Sequence, residues 1–258
     1  MLKLLSYPRS ILSLILYPIV LGGYSAVMVV QNLIFNNRQY DSRVMRSWGQ
    51  FSCWMFGVRV EVVGQENNPP GACVYVFNHV SFFDIFAMQA ALPNLRFGAK
   101  IELFRIPIFG RAMTRGGVLP IARDRRDDVM KVYQQATART AHGERFALAP
   151  EGTRHHGPGL GKFKAGPFIF AISAKVPVVP VVIEGAREAL PRTTLIPTLG
   201  KWSHVVKIHV LKPVSTIGKT IEDRTQIQEL VRAEMLAKLE EISPTAVPAK
   251  SDAKSTVS

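Results

Sequence analysis

The segment Ser10–Phe35, which contains no charged side chain in 26 residues, most limits what this chain can fold into. A helix needs only about 20 apolar residues to span a bilayer. The apolar region of a signal peptide is shorter, about 7–15 residues, and no small-residue cleavage motif follows at a suitable distance. We therefore expect the segment to stay in the mature protein and to associate with a membrane. The alternative is a buried hairpin of a soluble protein, which so long an uncharged run disfavours.

A second helix follows a turn predicted at Asn36-Asn37 and begins near Asp41. Its apolar residues recur at helical spacing, which is typical of a helix in a membrane interface. The residues expected mostly on the other, polar side are Asp41, Arg43, Arg46, Ser47 and Gln50. The apolar positions are Val44, Trp48, Phe51 and Met55. Residues 1–57 are therefore predicted to form a membrane-embedded or interfacial two-helix unit.

Basic residues flank the uncharged run on both sides, so the orientation follows from the kind of insertion. A straight span would leave Lys3 and Arg9 on one side of the membrane and Arg38, Arg43 and Arg46 on the other. A helical hairpin that enters one leaflet and returns would keep all five cytoplasmic. We expect an active site on the cytoplasmic face of a bacterial inner membrane or its equivalent, and both modes of insertion stay open.

The charge balance points to a polyanionic partner. The 32 Lys and Arg residues exceed the 19 Asp and Glu residues by 13, and 47% of the residues are hydrophobic. That hydrophobic content excludes an intrinsically disordered chain. The basic excess suits nucleic acid, an anionic membrane or a phosphorylated substrate. The two cysteines, Cys53 and Cys73, are too few for a disulfide framework, which indicates a reducing compartment.

From Val58 onward, short β-branched apolar runs alternate with helical patterns, and this alternation predicts an α/β fold. The expected fold is a mixed, largely parallel sheet of about seven strands flanked by helices, over residues 58–244. The predicted strands are Val58–Val63, Ala72–Phe77, Leu95–Ala99, Gly117–Ile121, Arg145–Ala149, Val178–Ile183 and His204–Leu211. The predicted helices are Phe83–Leu92, Phe104–Thr114, Asp127–Ala141, Gly166–Lys175 and Ile221–Ile242. Residues 245–258 are predicted to be a disordered tail.

The first motif with chemical potential is Asn78–Asp84, where a predicted strand gives way to a helix. α/β proteins place ligands at the carboxyl ends of strands. Histidine as a residue type suits a general base near neutral pH, which makes His79 a candidate, and Asp84 is placed to orient it. Ser81 and Asp84 also match a helix capping box. The residues alone support two interpretations about equally: a catalytic dyad of His79 and Asp84, or a helix cap formed by Ser81 and Asp84.

Two further groups of residues are weaker signals on their own. In Pro150–Arg154, a glycine allows close backbone approach to a ligand and Arg154 can bind a phosphate with two hydrogen bonds, although the composition also suits a surface turn. Between Asn94 and Lys131, nine basic residues face four acidic ones, a balance of +5. Most of these suit a solvated or membrane-facing surface. Lys100 and Arg123 follow predicted strands and are expected to face a cleft.

Several other chemistries are excluded or disfavoured. The chain has no G-x-S-x-G nucleophile motif. A P-loop would need glycine at position 213, where the chain has proline. His155 and His156 are adjacent and lack ligand spacing, and no His pair matches the two cysteines. We therefore expect no metal site.

Five sequence blocks occur in a characteristic order. They are N-H-V-S-F-F-D at 78–84, A-K-I-E-L-F-R-I-P-I-F-G at 99–110, G-V-L-P-I-A-R-D at 117–124, A-P-E-G-T-R at 149–154 and V-P-V-V-P-V-V-I at 176–183. Together they strongly resemble the membrane-bound glycerolipid acyltransferases, specifically the 1-acylglycerol-3-phosphate O-acyltransferases. The resemblance covers about residues 45–215. The chain departs from the family pattern at Ala149, where phenylalanine is usual, and at His155, where serine is common.

The resemblance implies transfer of a fatty acyl chain from acyl-CoA or acyl carrier protein to the sn-2 hydroxyl of lysophosphatidic acid, giving phosphatidic acid. It favours the dyad: His79 would deprotonate the hydroxyl, Asp84 would orient His79, and no covalent intermediate or bound cofactor would be needed. The implied substrate-phosphate residues are Lys100, Arg123, Glu151, Gly152, Thr153 and Arg154. The residues implied to line or support the acyl site are Val176, Pro177 and Pro180.

Other functions are compatible with parts of the sequence. The acceptor is alternatively another lysophospholipid, such as lysophosphatidylglycerol, or a lyso-aminolipid. A lipid-binding or lipid-transfer protein would explain the apolar segment and the basic surface without needing His79. A nucleic-acid partner is not expected, because no recognisable module interleaves basic and aromatic residues. The acyl-chain length, the choice of donor and the oligomeric state stay open.

Overall fold

A computed structural model describes residues 2–154, 159–190 and 202–243. It contains a seven-stranded sheet in the order β1-β7-β6-β2-β5-β3-β4, in which every neighbouring pair is parallel except β6 and β7. The predicted mixed, largely parallel sheet is thereby confirmed. The strands are β1 Val58–Val63, β2 Val74–Phe77, β3 Leu95–Lys100, β4 Leu119–Ile121, β5 Arg145–Leu148, β6 Val178–Glu184 and β7 His204–Val210. The predicted tail at 245–258 lies outside the described residues.

Eight α-helices are described, and they cover both faces of the sheet. They are α1 Leu2–Phe35, α2 Arg38–Met55, α3 Phe83–Ala91, α4 Phe109–Arg115, α5 Arg126–Thr140, α6 Gly166–Ala174, α7 Ala186–Ala189 and α8 Arg224–Ile242. Alternate residues of β2 enter different cores, because successive strand side chains point to opposite faces. Tyr75 and Phe77 join the core under α3. Val74 and Val76 join the core under α5, α6 and α8.

The predicted helix Phe104–Thr114 is confirmed only from Phe109 onward, and its first half is wrong. The chain instead forms a 3₁₀ segment at Ile101–Arg105, and α4 begins only at Phe109. Pro107 explains the interruption, because proline disfavours helical backbone in the residue before it, and Ile106 is indeed extended. Ile108 then adopts a φ of +62°, which is rare for a β-branched residue. The break leaves Ile106 and Ile108 exposed.

The helix α1 contains a stretch, Ser6–Phe35, that is long and apolar enough to cross a membrane by length and composition. Only 17% of its most apolar window is buried inside the protein. Exposed apolar side chains lie along its length, including Ile11, Ile15, Ile19 and Leu33. The helix therefore presents an apolar surface that the described part of the chain does not cover.

One face of α2 packs against α3, and the two backbones approach closely at Gly49. A Cβ atom at Gly49 would lie 2.8 Å from the amide nitrogen of Ala90. The expectation that Asp41 lies on the polar side of α2 is wrong, since Asp41 is fully buried. Its carboxylate accepts hydrogen bonds from Gln31 and Asn32 of α1 and pairs with Arg38. Helical spacing alone does not show that a turn folds α1 back over this position.

A buried ionic cluster connects these first helices to the sheet. Arg96 of β3 is fully buried and donates to the Ser42 hydroxyl of α2 at 2.9 Å. Glu144, at the start of β5, lies 3.9 Å from the Arg96 Nε and bonds Arg139 at 2.7 Å. Burial lowers the pKa of Arg96 to about 10. Because this pKa is still well above neutral pH, the side chain stays protonated. The cluster fixes α2 against the strand that ends at Lys100.

Candidate active site

The carboxyl ends of the parallel strands meet at one edge of the sheet, and β2 delivers the Asn78–Asp84 motif to that edge. Asn78 is buried, and its side-chain amide bonds both backbone groups of Ile183 in β6, at 3.1 Å and 2.7 Å. These two bonds continue the pairing of β2 with β6 beyond the last strand residue. They fix the backbone immediately before His79. Sequence reasoning named the motif and missed this positioning role of Asn78.

His79 and Asp84 lie in direct contact. The His79 Nδ1 atom is 2.8 Å from the Asp84 Oδ2 atom. The Asp84 side chain is fully buried, whereas that of His79 is 14% exposed. Because Asp84 occupies Nδ1, the Nε2 atom is the ring nitrogen available to a substrate. The geometry is that of a general base oriented by a carboxylate.

The same carboxylate also caps α3. Asp84 Oδ2 accepts the backbone N–H groups of Val80 at 2.8 Å and Ser81 at 2.9 Å. The Ser81 hydroxyl accepts the Phe83 N–H and donates to the Leu190 carbonyl. The structure therefore combines the dyad with half of the predicted capping box: Asp84 accepts the Ser81 N–H, whereas the Asp84 N–H bonds the Ser81 carbonyl and not its hydroxyl. Helix capping holds Asp84 in the position from which it contacts His79.

A pocket of about 680 Å³ opens beside His79 at this edge. Five basic residues line it, and no carboxylate does so within the described residues. Lys100 and Arg123 were expected there from the sequence. Arg126 was grouped with surface charges, and Lys164 carried no signal in the sequence. The basic lining residues are Lys100, Arg123, Arg126, Arg154 and Lys164.

The Glu151–Arg154 loop forms one wall of this pocket. Gly152, Thr153 and Arg154 line it, whereas Glu151 is buried and accepts the Gly161 N–H at 2.8 Å. Glu151 thus holds the loop from behind. Gly152 has a φ of +71°, the left-handed region that favours glycine. The Arg154 guanidinium lies 5.6 Å from the centre of the Phe82 ring, an interaction that orients the cation.

The opposite part of the pocket is apolar. Residues of β3, β4, β5, α5 and α6 line it, and the largest of them are Phe97, Ile121, Met130, Tyr133, Leu148 and Ile169. Burial raises the pKa of Tyr133, so its phenol stays neutral. Gly98 leaves room for this lining, since a Cβ there would lie 2.8 Å from Leu148 Cδ2. The pocket therefore joins a cationic mouth to an apolar interior.

The block Val176–Ile183 does not line this pocket. Val176 is buried in the core under α6 and α8. Pro180 lies in β6 opposite Val76 of β2. Pro177 accepts the Val74 N–H at its carbonyl. These three residues support β2, the strand that carries His79, and a role in the acyl site stays a prediction.

Within residues 2–154, 159–190 and 202–243, no group of three or more His, Cys, Asp or Glu side chains is arranged to hold a metal ion. The two cysteines are buried and free. Burial raises the pKa of the Cys73 thiol to about 12, which makes it a poor nucleophile. His79 lines the pocket, and the buried Asp84 carboxylate contacts its Nδ1 atom, so these two residues form a pair with acid–base geometry at this site.

Three comparisons with known proteins agree with this architecture. An acyltransferase family model matches residues 59–184. The chain is 30% identical over 182 residues to the chloroplastic 1-acyl-sn-glycerol-3-phosphate acyltransferase BAT2 of Brassica napus, a match that spans 66% of this chain and 53% of that protein. It is 33% identical over 225 residues to the mouse 1-acyl-sn-glycerol-3-phosphate acyltransferase alpha, spanning 85% of this chain and 78% of that protein.

The fold is also that of a solved structure. The crystal structure of the 1-acyl-sn-glycerophosphate (LPA) acyltransferase PlsC from Thermotoga maritima superposes with a TM-score of 0.74 at 21% sequence identity. The match covers 96% of this chain and all of that one. At this identity the likeness establishes the fold, while the curated relatives establish the family. The chain belongs to the acyltransferase family that includes the 1-acyl-sn-glycerol-3-phosphate acyltransferases.

Proposed function

We propose that the protein transfers a fatty acyl chain from acyl-CoA or acyl carrier protein to the sn-2 hydroxyl of lysophosphatidic acid, giving phosphatidic acid. The observation that supports this proposal is the pocket, which His79 lines together with five basic side chains and a set of apolar side chains. Lysophosphatidic acid has the matching parts: a phosphate, a hydroxyl and a hydrocarbon chain. The names of the curated relatives support the same substrate.

In the proposed mechanism, His79 Nε2 accepts the proton of the sn-2 hydroxyl while the oxygen attacks the thioester carbonyl. A C–O bond forms, the C–S bond breaks, and the leaving thiolate takes the proton. Asp84 stabilises the imidazolium through the 2.8 Å contact with Nδ1. The substrate hydroxyl is the nucleophile, so the reaction needs no covalent enzyme intermediate and no bound cofactor.

The cationic residues have two proposed roles. Lys100, Arg123 and Arg154 bind the acceptor phosphate through charge-assisted hydrogen bonds. The excess positive charge also stabilises the oxyanion that develops on the thioester carbonyl. The Gly152 N–H donates to the Ala149 carbonyl at 3.0 Å. This amide is therefore engaged in the loop turn and does not serve as an oxyanion donor.

The helices α1 and α2 are proposed to dock the pocket on the membrane, where both lipids reside, with the pocket on the cytoplasmic face. Exposed apolar side chains of α1 contribute on the order of 1 kcal/mol each on insertion. Nearby Lys and Arg side chains contribute about 1 kcal/mol each to the free energy of membrane binding, and salt screens only this electrostatic contribution. High salt or alkaline carbonate should leave the full-length protein in membranes, and detergent should release it. Release by salt alone would contradict membrane insertion of α1.

Acyl transfer is tested with purified full-length protein and a donor that carries a labelled acyl chain, either acyl-CoA or acylated acyl carrier protein. Three acceptors are compared: lysophosphatidic acid, lysophosphatidylglycerol and a lyso-aminolipid. We expect labelled phosphatidic acid from the wild type and none from His79→Ala. Turnover of another acceptor alone would show that the assigned acceptor is wrong. Lipid binding without acyl transfer would show a lipid-transfer protein instead.

A further inference from the structure

Lys164 lies between β5 and α6, outside every sequence block that resembles the family, yet it lines the pocket. Its backbone N–H donates to the Pro150 carbonyl at 2.8 Å, which attaches its loop to the Glu151–Arg154 loop. A Cβ atom at Gly152 would lie 2.9 Å from Lys164 Cε and 3.0 Å from Nζ. The lysine side chain therefore crosses directly over the α-carbon of Gly152. Any larger residue at position 152 would displace it.

The charge of Lys164 is available to a ligand. Among the described residues no carboxylate lies within ion-pair distance of its ammonium, whereas Lys100 in the same pocket is 3.4 Å from Glu102. Arg154, two residues beyond Gly152, contacts the aromatic face of Phe82. Both cations, Lys164 and Arg154, line the same pocket. A phosphate monoester carries about −1.5 to −2 charges at neutral pH, which two such cations balance.

We propose that Lys164 is a further ligand of the acceptor phosphate, in addition to Lys100, Arg123 and Arg154, and that the missing side chain at Gly152 is what allows it to reach. The inference rests on the proposed function, because that function supplies the phosphate. Arg154 and Lys164 contribute differently. Arg154 offers a planar fork that fixes the orientation of the phosphate, and Lys164 adds a compact charge on a flexible stem.

Lys164→Met tests this proposal, because methionine keeps an unbranched stem over Gly152 and removes the charge. Lys162→Met is the matched control: Lys162 is an exposed lysine of the same loop that does not line the pocket. Loss of one charge-assisted phosphate contact should raise the KM for lysophosphatidic acid about 10- to 100-fold. The KM for the acyl donor and the kcat should change less than about threefold. Lys164→Arg should restore most of the affinity.

The outcomes separate this inference from the proposed function. Equal KM values for Lys164→Met and Lys162→Met would overturn the role of Lys164 alone. An equal rise in the KM values of both substrates would also overturn it, since a structural or donor-binding role would then explain the loss. A wild-type protein that transfers no acyl chain to lysophosphatidic acid would overturn the proposed function and this inference together. Thermal unfolding of each variant verifies that the fold is retained.

Discussion

Asp84→Asn and His79→Ala should both severely reduce acyl transfer, and Asp84→Asn should also destabilise the protein more than His79→Ala does. The difference follows from the three contacts of Asp84 Oδ2, two of which are the N–H groups of Val80 and Ser81. Removing the His79 ring leaves those two bonds intact. Replacing the carboxylate changes the cap of α3 as well as the support of the base.

The size of each effect follows from the local geometry. Asp84 Oδ1 is buried and has no hydrogen-bond partner among the described residues. If the asparagine keeps its oxygen at the Oδ2 position, its NH₂ group is buried without an acceptor. If the amide is flipped, its NH₂ group faces the two backbone N–H donors instead. Either arrangement destabilises the fold by about 1–3 kcal/mol. Loss of an oriented general base lowers kcat by about 10²–10⁴-fold.

Two measurements on each variant check this reasoning. Initial rates with lysophosphatidic acid and acyl-CoA give kcat, and urea unfolding followed by circular dichroism gives the free energy of unfolding. His79→Ala should lose activity and should lose less free energy of unfolding than Asp84→Asn, because two of the three contacts of Asp84 Oδ2 remain. Near wild-type turnover in His79→Ala would refute the dyad. An Asp84→Asn protein as stable as wild type would refute the capping role of the carboxylate.

Three other substitutions test the surroundings of the dyad. Arg154→Ala should raise the KM for lysophosphatidic acid far more than that for the donor, with partial rescue by Arg154→Lys; equal effects on both would indicate a structural arginine. Asn78→Ala leaves two buried backbone groups of Ile183 unpaired, so a melting curve should show a loss of about 1–3 kcal/mol, and kcat should fall. Arg96→Met removes the buried donor to the Ser42 hydroxyl and should cost about 1–3 kcal/mol of unfolding free energy without changing the KM for either substrate. An unchanged free energy would contradict the structural role of the cluster.

The sheet and the place of the site were predictable because both depend on local patterns. Short β-branched runs alternate with helical segments, and strand ends in a parallel sheet share one edge. From the sequence alone, this argument predicts that His79, Lys100 and Arg123 lie close together. All three line the pocket, although they come from segments up to 44 positions apart in the chain.

The features that the sequence did not predict depend on contacts between distant segments. Lys164 lies in an unremarkable loop, and only its position over Gly152 brings it into the pocket. Asp41 looked like a solvated carboxylate because its partners belong to the preceding helix, which folds back over it. The capping and dyad roles of Asp84 were treated as alternatives, yet one oxygen atom performs both. Residue patterns do not determine such shared contacts.

The helix α3 connects the proposed membrane unit to the chemistry. One of its faces packs against α2, with close backbone contact at Gly49, and Phe82 and Ile85 at its amino end line the pocket. Its first turn carries Asp84, which orients His79. A displacement of α2 would move α3 as a rigid element, because packed helices do not deform continuously. The position of the first two helices is therefore linked to the position of His79, the proposed general base, so docking of these helices on a membrane would also fix the orientation of the His79–Asp84 pair relative to the bilayer.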